Sequence, residues 1–177
     1  MNIVVITGSA HQKGTTAALA DEFIKGASEN GHNIYRFNAA VKDVHPCIAC
    51  EQCHETDKGC VFKDDMGVLN PYLLKADTVV FVTPIYYYNM NAQIRSVIDR
   101  FYANDSELHH NKKAVLITAM ADTDNKSADG ANISFSHMLE YLDWENAGIV
   151  NAAGCWERES LKNTDYPEQV YKLAKSI

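Results

Sequence analysis

Five short apolar runs rich in β-branched residues recur along the chain: "NIVVIT" (residues 2–7), "NIYRF" (33–37), "DTVVFVT" (77–83), "KAVLITA" (113–119) and "NAGIVNAA" (146–153). Three of the five are nearly continuous, and a strand apolar on both sides is one covered on both faces, as at the centre of a parallel sheet. Between the runs, apolar residues return at helical spacing. Ile94, Val97, Ile98 and Phe101 form one such stripe, and Phe135, Met138, Leu139 and Leu142 a second. Val170, Leu173, Ala174 and Ile177 form a third. Strand and helix therefore alternate, which predicts a three-layer α/β/α sandwich on a five-stranded parallel sheet with right-handed crossovers. Residues 64–76 fit less well, because Gly67 and Pro71 interrupt the pattern and predict a helix that begins late or bends.

With 177 residues, 46% hydrophobic and 10% aromatic, the chain has enough apolar material for one core, and residues 1–177 read as one domain. The start "MNIVVITGSA" lacks a basic leader, and no stretch reaches the roughly eighteen apolar residues of a membrane span. A soluble cytoplasmic protein with no membrane partner is expected. The net charge of −7, with no clustered Lys or Arg, argues against nucleic acid, whose phosphates need a basic footprint.

Ligands of such sheets sit beyond the carboxyl ends of the strands, which directs attention to the loops after the first, third and fourth runs. The first loop, "TGSAHQKGTT", leads into a helix whose free N–H groups and positive dipole end favour a phosphate. Ser9, Thr15 and Thr16 add hydroxyls and Lys13 a charge. An ordinary capped helix start uses the same residue types. Neither G-x-x-x-x-G-K-[ST] nor G-x-G-x-x-G is present. After the third run, "TPIYYYNMNA" offers three successive tyrosines, which cannot share one face of a strand or helix. Following Pro84 they read as a loop presenting flat rings and hydroxyls either to a bound heteroaromatic group or to an oligomer surface.

Four of the five cysteines fall in "HPCIACEQCHETDKGC", spaced Cys47-x2-Cys50-x2-Cys53-x6-Cys60. Thiolates at C-x2-C-x2-C with a fourth nearby match the corners of a four-iron cluster. Zinc, redox-active thiols and an adventitious disulfide remain open alternatives. His54 reads as a solvated loop residue, and Cys155, alone in "AAGCWERE", as an unpaired, partly buried thiol.

Taken together, "GSAHQKGTT", the cysteine loop ending in "CVFKDDM", and "TPIYYYNMNAQIRSVIDRF" resemble the flavodoxin-like NADPH-dependent FMN reductase family, including its iron-sulfur flavoprotein branch. The resemblance implies an FMN whose phosphate is held by Ser9, His11, Lys13, Gly14, Thr15 and Thr16. It places Pro84, Ile85, Tyr86, Tyr87, Tyr88, Asn89 and Met90 along the dimethylbenzene and ribityl side of the flavin, and Ala119, Met120, Ala121 and Asp122 near the pyrimidine edge. It also implies NAD(P)H as electron donor, a quinone, flavin or similar small-molecule acceptor, and a homodimer or homotetramer. Cys47, Cys50, Cys53 and Cys60 become candidate ligands of a 4Fe-4S cluster, in which case the protein could instead carry electrons to protein partners. No acid–base triad is called for, because the flavin supplies the chemistry. A third reading, a binding module without flavin, requires a colourless protein.

Overall fold

The computed structural model describes residues 1–56 and 58–177. Five parallel strands form the sheet: β1 (Asn2–Thr7), β2 (Asn33–Asn38), β3 (Thr78–Tyr86), β5 (Lys113–Ala119) and β6 (Glu145–Ala152), in the order β2-β1-β3-β5-β6. A two-residue strand, β4 (Asn89–Met90), pairs antiparallel with the end of β3. The flavodoxin-like sandwich expected from the sequence is present, with β4 as an addition.

Side-chain alternation sorts the core into two layers. Val4, Ile6, Val79, Phe81, Ala114 and Leu116 point to one face, where they meet α3 (Met66–Lys75), α4 (Ala92–Asp99) and α6 (Asp129–Leu142). Ile3, Val5, Val80, Val82, Val115 and Ile117 point to the other, against α1 (Thr15–Glu29) and α7 (Tyr166–Ser176). Both faces of the central strands are thus dry, which is why their sequences are continuously apolar. Phe81, fully buried, has Phe101 and Phe135 at centroid distances of 6.3 and 6.1 Å. Each such side chain contributes about 1.5–3 kcal/mol by leaving water.

Helix α3 begins at Met66, near the start of residues 64–76, and carries Gly67 and Pro71 within it, so the late start expected from those two residues is not found. Its first N–H, at Met66, is bonded by the Asp64 carboxylate, 3.1 Å away. Two short helices, α2 (Gln52–Glu55) and α5 (Asp105–Leu108), lie in connections.

The tyrosine segment differs from the expected loop. Strand β3 continues through Pro84 to Tyr86, turns at Tyr87 and Tyr88, and returns as β4. Both turn residues are left-handed, with φ of 48° and 66°, the geometry of a tight hairpin that usually calls for Asn-Gly. Holding tyrosines there costs about 1–2 kcal/mol each. The hairpin is seated on α6 at Gly130, where a Cβ would come within 2.3 Å of the Tyr88 carbonyl oxygen. Met90, on the return strand, is buried in the core and anchors it.

Candidate functional site

The chain runs from β1 outward to β2, and then crosses back to β3 on the other side of β1. The loops after β1 and β3 therefore part above the sheet, and a crevice opens at this switch point. There the structure has a cleft of about 850 Å³, within the roughly 300–1,000 Å³ of small-molecule and cofactor sites.

One end of the cleft is the start of α1. Gly14 precedes the helix, no side chain caps its first N–H groups among the described residues, and Ser9 Oγ is engaged by the His11 N–H at 3.1 Å. The Thr15 hydroxyl is buried and has no partner among the described residues. Unsatisfied N–H groups, an orphaned hydroxyl and a positive dipole end form a cradle that fits a phosphate. Lys13 is exposed beside it. Gly14 is held close: a Cβ there would lie 3.0 Å from that of His11.

Of the residues expected at the flavin, the cleft gathers Ser9, His11, Lys13, Gly14, Thr15 and Thr16 from the first loop, with Pro84, Ile85, Tyr86, Ala119, Met120 and Ala121 from the ends of β3 and β5. The others lie elsewhere. Tyr87 and Tyr88 point outward from the hairpin at 99% and 64% exposure, because a two-residue turn projects its central side chains away from the strands it joins. The side-chain carbonyl of Asn89 is occupied by the Met90 N–H, and Met90 faces the core. The Asp122 carboxylate is engaged by the Asp124 N–H and the Ser127 hydroxyl, which hold its pKa below the usual carboxylate range. It shapes its own loop.

Two sets of residues were not anticipated from the sequence. Cys155 to Glu159, following β6, form a further wall of the cleft, with Trp156 76% exposed and Arg158 bringing a positive charge. The rule that pointed to three strand ends applied equally to this fourth one. The second is Asn91, 3% exposed. Its Nδ2 donates to the Gly8 carbonyl at 2.6 Å and to Gln93 Oε1 at 2.8 Å, while its Oδ1 accepts from the Thr83 hydroxyl at 3.1 Å. One amide thereby ties the phosphate-cradle loop to the end of β3.

The cysteine segment lies between β2 and α3, and its base is closed by two aspartates. The N–H of Asp43 reaches the Asp65 carboxylate at 2.9 Å, and that of His45 reaches Asp64 at 3.0 Å. Cys47, Cys50, Cys53 and Cys60 line one small cavity with Phe62, Arg100 and Tyr102. Burial pushes the Cys53 thiol up, and the sulfurs of Cys60, Cys47 and Cys50 add to the effect. Ala49 and Glu51 are left-handed, at φ 52° and 59°, and the Ala49 N–H points to the Cys47 sulfur at 3.4 Å. All four are free thiols, and among the described residues no group of three or more His, Cys, Asp or Glu is gathered so as to hold a metal ion. His54 is not simply solvated: its Nε2–H donates to the Tyr102 carbonyl at 2.8 Å. Tyr102 in turn donates to Glu51 at 2.7 Å, which pushes its own hydroxyl pKa up to about 12.

The strongest anchor is Arg100, in the turn Arg100–Asn104 after α4. Its side chain and that of Asp64 are 3% and 2% exposed, and they pair at 2.6 and 3.2 Å. Burial works against both charges. Their mutual hydrogen bonds overcome it, raising the arginine and lowering the carboxylate from their ordinary values. Nothing in "VIDRFY" marks this arginine as part of the cysteine loop, since the two lie forty residues apart from Cys60 to Arg100.

Comparison with known proteins agrees with this geometry. Iron-sulfur flavoproteins are similar in sequence: one from Archaeoglobus fulgidus is 28% identical over 99% of this chain and 93% of its own length. One from Methanocaldococcus jannaschii is 30% identical over 56% of this chain and 51% of its own, so the match spans about half the length of that relative. A solved flavone reductase shares the fold with a TM-score of 0.77, at 15% identity, over 100% of this chain and 62% of its own. The sequence profile described as NADPH-dependent FMN reductase matches residues 1–148, which carry the cradle, the cysteine loop, the tyrosine hairpin and most of the sheet. The chain belongs to that family.

Proposed function

We propose that the protein is an FMN-dependent oxidoreductase that takes electrons from NAD(P)H and delivers them to a quinone, a flavin or a similar flat acceptor. The observation that carries this reading is the cleft at the switch point, with the uncapped start of α1 and the unpartnered Thr15 hydroxyl at one end. FMN, when bound, supplies the hydride and electron chemistry. The chain's own residues bind and orient it. The N–H groups of α1, Thr15, Thr16 and Lys13 hold the phosphate. Pro84, Ile85 and Tyr86 wall one side of the cleft, Ala119 to Ala121 lie at its strand ends, and the exposed Trp156 belongs to a further wall.

A second reading adds a four-iron cluster and makes the protein an electron carrier. It is favoured by the four cysteines facing one cavity and by the relatives named iron-sulfur flavoproteins. The donor type suits a cluster, but among the described residues the four thiols that line the cavity are not gathered so as to hold a metal ion. A homodimer or homotetramer belongs to the same proposal, since the tyrosine hairpin leaves large aromatic surface bare next to the cleft. So does a reducing, cytoplasmic compartment, in which free thiols persist. No helix is long and apolar enough to cross a membrane among the described residues.

Anaerobic purification followed by heat release and chromatography tests the first reading. One FMN per chain is expected, because the cleft has one phosphate cradle. Stoichiometric FAD, or a colourless protein that binds no added FMN, would sink it. Steady-state NAD(P)H oxidation with a quinone then separates reductase from carrier, since a carrier turns over hardly at all. Lys13→Ala is expected to weaken FMN binding about fivefold at low ionic strength, the worth of an exposed charge contact. In ~1 M salt, where the screening length is about 3 Å, the difference should vanish. A loss equal at both salts would place Lys13 away from the phosphate.

A further inference from the structure

The chain has two tryptophans, and the fold uses them differently. Trp144 is 6% exposed; its Nε1–H donates to the Leu108 carbonyl at 2.6 Å, and its ring lies 6.3 Å from that of Phe101. Trp156 is 76% exposed in the wall of the cleft that follows β6. Among the described residues no ring or cation packs on its indole.

A single exposed apolar side chain on an open surface needs no explanation, but this one is held in place. Gly154, left-handed at φ 69°, turns the chain after β6, and its N–H donates to the Asp122 carbonyl at 2.7 Å. The N–H of Cys155 donates to the Met120 carbonyl, also at 2.7 Å. Cys155 and Leu161, on either side of Trp156 in the chain, are 2% and 5% exposed in the core layer of α1 and α7. The segment is thus pinned to the loop after β5 and sunk into the core at both ends, while its largest apolar side chain is kept in water.

The order of the strands says where in the cleft that side chain stands. β1, which leads to the phosphate cradle, is separated from β6 by β3 and β5. Three strand spacings of about 4.8 Å put the two strand ends roughly 14 Å apart. A cofactor held by its phosphate at α1 extends along the ends of β3 and β5, and the Trp156 wall closes the other end. Arg158 lies between Glu157 and Glu159, which line the same wall, so charge of neither sign dominates there. What the wall offers is the face of an indole.

We propose that Trp156 is the specificity-determining residue for the electron acceptor: its indole stacks on the ring of a flat conjugated molecule of the quinone class and holds it at the end of the cleft away from the phosphate cradle. The inference rests on the reading of the cleft as the site of an FMN-dependent reductase. Aromatic pairs gain from offset stacking beyond the area they bury, which favours a planar acceptor over a compact inorganic one. In the reaction served, a quinone, NAD(P)H and one proton give the hydroquinone and NAD(P)+, so two electrons and two protons reach the quinone. Ferricyanide draws on the same reduced protein without a ring to stack: two ferricyanide ions per NAD(P)H give two ferrocyanide ions, NAD(P)+ and one proton.

FMN-loaded Trp156→Ala and Trp156→Phe variants provide the test, with menadione as the quinone. An exposed side chain can be changed with little effect on folding, and both variants should retain one FMN per chain. Trp156→Ala should raise KM for menadione about tenfold, or 1.4 kcal/mol, and move kcat far less. Trp156→Phe keeps a flat ring and should recover most of the loss. The ratio of menadione to ferricyanide kcat/KM should therefore fall about tenfold in the alanine variant and little in the phenylalanine variant. An unchanged menadione KM in Trp156→Ala, a loss shared equally by ferricyanide, a KM for NAD(P)H that rises instead, or loss of FMN overturns the inference alone, since the parent still works as a reductase. A parent that binds no FMN, or binds it and oxidises no NAD(P)H with either acceptor, overturns the functional reading, and the inference falls with it.

Discussion

Asp64→Asn is expected to destabilise the protein by about 3 kcal/mol or more at neutral pH, the cost of leaving a buried charge without its counter-charge. Arg100 is 3% exposed and has no other carboxylate among the described residues, and the N–H groups of His45 and Met66 also lose a charged acceptor. Urea unfolding measures the loss, and proteolysis within residues 44–63 should report the cysteine loop opening first. The pH dependence carries a sign. The folded carboxyl has a pKa below its unfolded value, because Arg100 and the backbone donors outweigh the penalty of burial. Its contribution is therefore fully present above the ordinary carboxylate range and is lost as pH falls through the folded value. The gap between parent and variant should narrow on acidification below about pH 4. A gap that widens in acid would show that the ion pair is not its source.

The second large effect is expected at Asn91. Asn91→Asp keeps the shape of the side chain and exchanges the Nδ2 donor for a second acceptor, which then faces the Gly8 carbonyl across 2.6 Å. The site is 3% exposed, so the new charge is both buried and opposed, costing about 3 kcal/mol. Gln93 can turn its own amide to donate, but Gly8 cannot. Since Gly8 leads into the phosphate cradle, FMN affinity should fall at least about tenfold, or 1.4 kcal/mol. Thermal or urea unfolding and flavin fluorescence titration measure the two effects separately. Stability and affinity both unchanged would mean that the amide does not couple the two loops.

Local pattern alone determined the layered sheet. Val4 and Val5, or Phe81 and Val82, are apolar neighbours on opposite faces, and only a strand covered twice gives that pattern. The uncapped helix start proposed to hold the phosphate was legible for a similar reason: "GSAHQKGTT" is contiguous, and a helix start presents its own N–H groups whatever surrounds it. The spacing of the four cysteines was likewise a local fact. What the tertiary structure decided were the relations between distant segments. Tyr87 and Tyr88 were expected at the flavin, yet they do not line the cleft and point outward from a tight hairpin, whose close seat on α6 depends on Gly130, more than forty residues away. Cys155 to Glu159 join the cleft because β6 lies beside β5, an adjacency no single run of residues specifies. Arg100 and Asn91 are ordinary letters on an amphipathic helix and its cap until packing removes water from them. In the buried state each hydrogen bond must be met by one particular partner, and it is this demand for a partner, absent in the solvated chain, that gives both residues their roles.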